Sequence, residues 1–112
     1  MTGTEIVATI KEAAKRHGFS TGENEGAALP IVIRECDAFA RVSIWNQPDY
    51  EKSDFEKRMV VYKLDIRADI CRMGGTDTPE ELLAAAEQIR RTAELAKELR
   101  EMELSYTEQM EG

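Results

Sequence analysis

A chain of 112 residues matches the usual size of one domain and is too short to divide into two halves with separate cores. Its 42% hydrophobic and 33% charged residues can fill a core and cover it with charge, and no apolar run approaches the roughly 18 residues of a membrane span. The net charge of −7 opposes long-range attraction to nucleic acid or an anionic membrane. The opening MTGTEIVATIKEA has no charged lead, apolar block or small-residue cleavage site, so the expected compartment is the cytoplasm. Charge is unevenly spread: from Pro79 onward nine acidic and four basic residues give −5, whereas Lys57 to Arg72 carries five basic and two acidic residues, giving +3.

Thr2 and Glu5 have capping-box spacing, and Ile6, Ile10, Ala13, Ala14 and His17 recur at helical steps behind them. Gly18, after Lys15, Arg16 and His17, predicts a left-handed stop with cations at the negative end of the dipole and Phe19 folding back. Ser20 to Ala28 reads as an exposed connection without periodicity. Ile31 to Cys36 is a short strand after Pro30, Asp37 suits a tight turn, and Phe39 to Trp45 is a second strand with Ala38, Ala40, Val42 and Ile44 inward. Asn46 to Glu56, with a proline, four acids and two aromatics, predicts a loop able to carry a contact.

Met59 to Cys71 is the longest alternating segment. Val60, Tyr62, Leu64, Ile66, Ala68 and Ile70 share one face, and Met59, Val61, Lys63, Asp65, Arg67, Asp69 and Cys71 share the other. Met73 to Asp77 breaks the chain. Thr78, Pro79 and Glu81 then start a helix with a cap, a proline in its first turn and a capping-box acid. A stripe of Leu82, Ala85, Ala86, Ile89, Ala93, Ala96, Leu99 and Met102 extends to about Leu104, long enough to cross the apolar face of the third strand. The polar end, SYTEQMEG, is expected to fray. The predicted class is α+β: a helix, a three-stranded antiparallel meander and a long C-terminal helix, with both helices on one face and residues 1–104 forming one domain.

Catalytic signals are missing. His17, the only histidine, sits at a helix end after Lys15 and Arg16, and no base stands beside a nucleophile. Acid pairs such as Glu35 with Asp37 arise by chance among 22 acidic residues. Cys36 and Cys71 lack zinc-ligand spacing and read as reduced structural thiols. Gly74 and Gly75 precede a helix whose start is occupied by Asp77, Glu80 and Glu81, which disfavours a phosphate. No enzyme activity, metal or cofactor is expected.

What remains is the outer face of the sheet. Phe39, Trp45, Tyr50, Phe55, Arg58, Met59, Val61 and Lys63 are the candidate contact for a protein partner or a second copy, with Trp45, Met59 and Val61 predicted to form one apolar patch inside a charged rim. Arg34, Arg41, Lys63 and Arg67 could instead follow a single-stranded nucleic acid, against which Asp65 and Asp69 count.

The run MGGTDTPEELLAAAEQIRRTAEL, followed by MELSYTEQM, resembles the C-terminal half of small proteins carried by bacterial phages and mobile elements. It covers about a third of the chain. The resemblance implies an accessory role toward a host protein, such as inhibition of a defence nuclease, some inhibitors of which mimic DNA. The acids available for mimicry are Glu87, Glu94, Glu98, Glu101 and Glu103, interleaved with Arg90, Arg91, Lys97 and Arg100. The sequence therefore predicts a non-enzymatic interaction protein, with nucleic-acid binding as the alternative.

Overall fold

The computed structural model describes residues 1–21, 29, 31–35, 38–71 and 78–110. The elements run α1 (Gly3–Arg16), β1 (Ile31–Ile33), β2 (Ala40–Pro48), β3 (Met59–Ile70), α2 (Pro79–Glu101) and β4 (Ser105–Gln109). The strands form one antiparallel sheet in the order β1-β2-β3-β4. The α+β class and the shared helical face are as the sequence predicts. The sheet, however, has a fourth strand where a frayed tail is expected. The predicted connection over 22–28, Pro30, Cys36, the Asp37 turn and the break at 73–77 lie outside the described residues.

Both helix starts behave as their sequences dictate. Thr2 Oγ1 accepts from the Glu5 amide and Thr78 Oγ1 from the Glu81 amide, each at 3.2 Å. At the end of α1 Gly18 adopts φ 83°, its amide bonds Lys15 O at 3.0 Å, and the Phe19 amide returns to Ala14 O at 2.9 Å. This paired closure satisfies carbonyls that the last turn leaves free and brings Phe19 into the core.

The core lies between the helices and one face of the sheet. Ile6 and Ile10 of α1 and Leu95 and Leu99 of α2 meet Ile33, Val42, Ile44 and Ile66, with Tyr106 of β4 at the margin. α2 crosses both β2 and β3 rather than β3 alone. Its buried residues, Ala85, Thr92, Leu95, Ala96 and Leu99, also correct the predicted stripe, because Leu82, Ala86, Ala93 and Met102 face solvent. Alanines at 84–86, 93 and 96 suit several helical phases. The sheet selects the phase that buries both leucines, and Thr92 joins because its hydroxyl donates to Gln88 O at 2.8 Å.

β2 runs through Pro48, three residues beyond the predicted end, and pairs with β3 from Ala40↔Ile70 to Pro48↔Tyr62. The connection beyond is folded rather than irregular. Asp49 N donates to Val61 O at 2.7 Å, the Val61 amide to Ser53 Oγ at 2.9 Å, and Asp54 and Met59 exchange amide bonds at 2.8 and 2.9 Å. Arg58, at φ 54°, makes the inner reversal.

β4 pairs with the first part of β3, from Met59↔Gln109 to Lys63↔Ser105. Tyr106 stacks on Tyr62 at 5.2 Å between ring centroids and accepts from Asn46 Nδ2 at 3.1 Å. Burial raises the Tyr106 pKa, and the Asn46 hydrogen bond partly offsets it. A single aromatic anchor and five rungs of backbone pairing thus hold a segment whose other side chains remain exposed.

Candidate functional site

The helices leave the opposite sheet face without a covering layer among the described residues. Across it run the rungs Arg41–Asp69, Val32–Ser43–Arg67, Trp45–Asp65 and Gln47–Lys63–Ser105, followed by Val61–Thr107 and Met59–Gln109. Ser43 alone is deeply shielded there, standing directly between Val32 and Arg67.

Trp45 is 50% exposed, and the 46–56 segment does not cover it. Beside it on the adjacent strand is Asp65, which accepts from Arg67 Nε at 2.9 Å and Gln47 Nε2 at 3.4 Å. Val32, 49% exposed and opposite Ser43, lies diagonally across from the indole. The result is a small apolar centre, Trp45 with Val32, framed by hydrogen-bonded polar groups. Val32 is absent from the predicted contact although it was legible, because Ile31 and Ile33 inward leave it outward.

The predicted union of Trp45 with Met59 and Val61 does not form. Trp45 pairs with Asp65, four residues along β3 from Val61, a separation of about 13 Å. The cause is the extra length of β2 and the nested turn, which move the reversal away from Trp45. Tyr50 and Phe55 instead meet at the hairpin tip, 6.0 Å between ring centroids and 72 and 54% exposed. Met59 and Arg58 are exposed near them, Val61 is half-buried, and Lys63 stands between Gln47 and Ser105. Phe39 lies apart and half-buried just before β2, its amide donating to Gln88 Oε1 at 2.5 Å.

The cations proposed for nucleic acid are largely committed. Arg67 pairs with Asp65 at 2.9 Å and Arg41 with Asp69 at 3.6 Å, while Arg34, just past β1, and Lys63, on β3, are exposed but lie apart. Alternating acids divide the track, so the face offers no continuous positive stripe.

The acids considered for mimicry are partly neutralised too. Glu87 and Glu94 both grip Arg90, and Glu98 holds Arg16 at 2.5 Å and His17 at 3.0 Å. The Arg16 hydrogen bond, with His17 adding to it, lowers the Glu98 pKa despite some desolvation. Glu101 and Glu103 are exposed. His17 therefore joins the two helices.

A polar cluster missed in the sequence adds to the hold on this same end of α1. Arg91 pairs with Glu35 at 2.7 Å, lies over the Phe19 ring at 5.3 Å and approaches the His17 carbonyl at 3.4 Å. Gln88 donates to Glu35 at 2.8 Å, and the Arg91 bond, followed by that of Gln88, lowers the Glu35 pKa against desolvation. The cluster ties α2 to Glu35 after β1, to Phe39 before β2 and to the end of α1.

Among the described residues no group of histidine, cysteine and acidic side chains can hold a metal, and no helix is long and apolar enough to cross a membrane. Cys71 is exposed rather than partly buried, with its thiol donating to Ala38 O at 3.2 Å; Cys36 lies outside the described residues. Comparison of the chain with protein families, with curated proteins and with solved structures finds no match.

Proposed function

We propose that this is a non-enzymatic interaction protein that binds another protein through the open sheet face, with Trp45 at the centre of the contact. The observation supporting this reading is a half-exposed indole on a regular, uncovered sheet, adjoining Val32 and surrounded by Ser43, Gln47, Asp65 and Arg67. A rigid aromatic in a frame of internally satisfied polar groups has little ordering entropy to lose on binding, and such residues dominate interface energies. The phage and mobile-element resemblance suggests a host protein as partner, and regulation or inhibition as the outcome of binding.

Trp45 is the sole tryptophan, so its emission reports directly on the proposed contact. A partner isolated from the native host should shift that emission to the blue on titration. Trp45→Ala should weaken binding by about tenfold or more. Equal affinity for the wild type and the alanine variant would overturn the reading. Tight oligonucleotide binding that falls steeply with salt would favour nucleic acid instead.

A further inference from the structure

The second half of β3 has an open edge. Asp49–Val61 and Cys71–Phe39 backbone bonds place the odd-numbered amides and carbonyls of β3 toward β2. The even-numbered ones consequently point away, as the Leu64 amide shows by donating to Leu104 O at 3.2 Å. Pairing with β4 ends at Lys63↔Ser105. Beyond it, the amides of Ile66, Ala68 and Ile70 and the carbonyls of Ala68 and Ile70 have no partner among the described residues. Only the Ile66 carbonyl is engaged, by Arg100 Nε at 2.9 Å.

We propose that this edge is the seam of a homodimer, in which two copies of β3 pair antiparallel about Ala68. The segment Ile66-Arg67-Ala68-Asp69-Ile70 is complementary to itself in that arrangement. Ala68 faces the partner's Ala68 as a hydrogen-bonded pair, Ile66 faces the partner's Ile70 on the helix side, and Arg67 faces the partner's Asp69 on the outer side. Ile70, 51% exposed in the single chain, thereby gains an apolar neighbour. Arg41 already pairs with Asp69 across β2 and β3, so that outer rung continues into the second copy's Arg67 with opposite charges alternating across the seam.

Three neighbouring registers fail on the same residues. Centring the pair on Arg67 or Asp69 opposes like charges, and centring it on Ile66 requires the Leu64 backbone that Leu104 occupies. Arg100 need not leave, because a carbonyl oxygen accepts two hydrogen bonds. The flank of α2 beside the edge presents Ala93 and Ala96 together with Lys97, Arg100 and Glu101 across an open space from Arg67 to Asp69. Charge complementarity and register thus favour a second copy over an unrelated strand. The inference does not depend on the Trp45 contact; it would join two four-stranded sheets into one and set two Trp45 patches on a common face.

Sedimentation across a concentration series, extended to the high micromolar range, tests the seam. The wild type should dimerise. Ala68→Pro, which removes an outward amide with no internal partner, should give a folded monomer. Arg67→Glu and Asp69→Lys should each weaken dimerisation by roughly tenfold, since both symmetric pairs become repulsive. Mixing these two variants should restore association, because the introduced glutamate then faces the introduced lysine while native Asp69 faces native Arg67. Loss of folding cannot mimic such a rescue. A wild type that stays monomeric, a dimer indifferent to Ala68→Pro, or no recovery on mixing would overturn the proposal.

Discussion

One strand, β3, is finished in two different ways. From Met59 to Lys63 its outer edge is closed by β4, whereas from Ile66 to Ile70 Arg100 alone among the described residues hydrogen-bonds to that edge. On its other side β2 pairs with both halves, so the open half owes its conformation to the sheet interior rather than to its missing neighbour. An edge can thus remain unpaired without unfolding the strand. Alternating Arg67 and Asp69 then restrict what can pair there, since a register centred on either of them brings like charges together.

Proline provides the sharpest test of the difference. Val60→Pro removes an amide that β4 uses and should cost about 3 kcal/mol or more by urea denaturation. Ala68→Pro, assayed in dilute solution where the chain is monomeric, should cost well under half as much. Similar losses at the two positions would mean that the halves do not differ as their hydrogen bonding indicates. Tyr106→Ala removes the Tyr62 stack and the Asn46 hydrogen bond, and a loss of about 2 kcal/mol with earlier exchange of the Val60 and Tyr62 amides is expected.

A smaller effect comes from acid. Glu35 and Glu98 have lowered folded-state pKa values, so their contribution is fully present above the unfolded value of 4.5 and disappears as pH falls through the folded values. Because both carboxylates are partly solvated, about 1 kcal/mol or less should be lost from each. Glu35→Gln should flatten that part of a stability profile below pH 4.5 while leaving the difference between the two halves of β3 intact. Smallest of all, Trp45→Ala should change folding free energy by about 0.5 kcal/mol or less despite its large proposed effect on binding.

Local patterns made much of this fold readable. The alternation from Met59 onward, the caps at Thr2 and Thr78, and Gly18 each express their preference within a few residues. β4 does not, because Tyr106 is its one aromatic and its remaining side chains need only tolerate an exposed edge. The phase of α2 was ambiguous because alanine fits beside a sheet from several directions. At the candidate site, Trp45 could be placed outward from parity alone. Its neighbours could not, since register depends on how Asp49, Ser53 and Asp54 fold the hairpin end.

The short β4 also sets a limit on sheet growth. Its removal by local fraying would uncover Val60, Tyr62 and Leu64 beside the already open Ile66, converting a brief edge guarded by charge into one long template with an apolar face. Such an edge favours indefinite stacking over a closed pair. The anchor that matters is modest: Tyr106, against Tyr62 and close to Gly3 at the start of α1, holds the stopper in place. Conditions that loosen this anchor should promote aggregation well before they unfold the core, making solubility a property of the C-terminal strand rather than of overall stability.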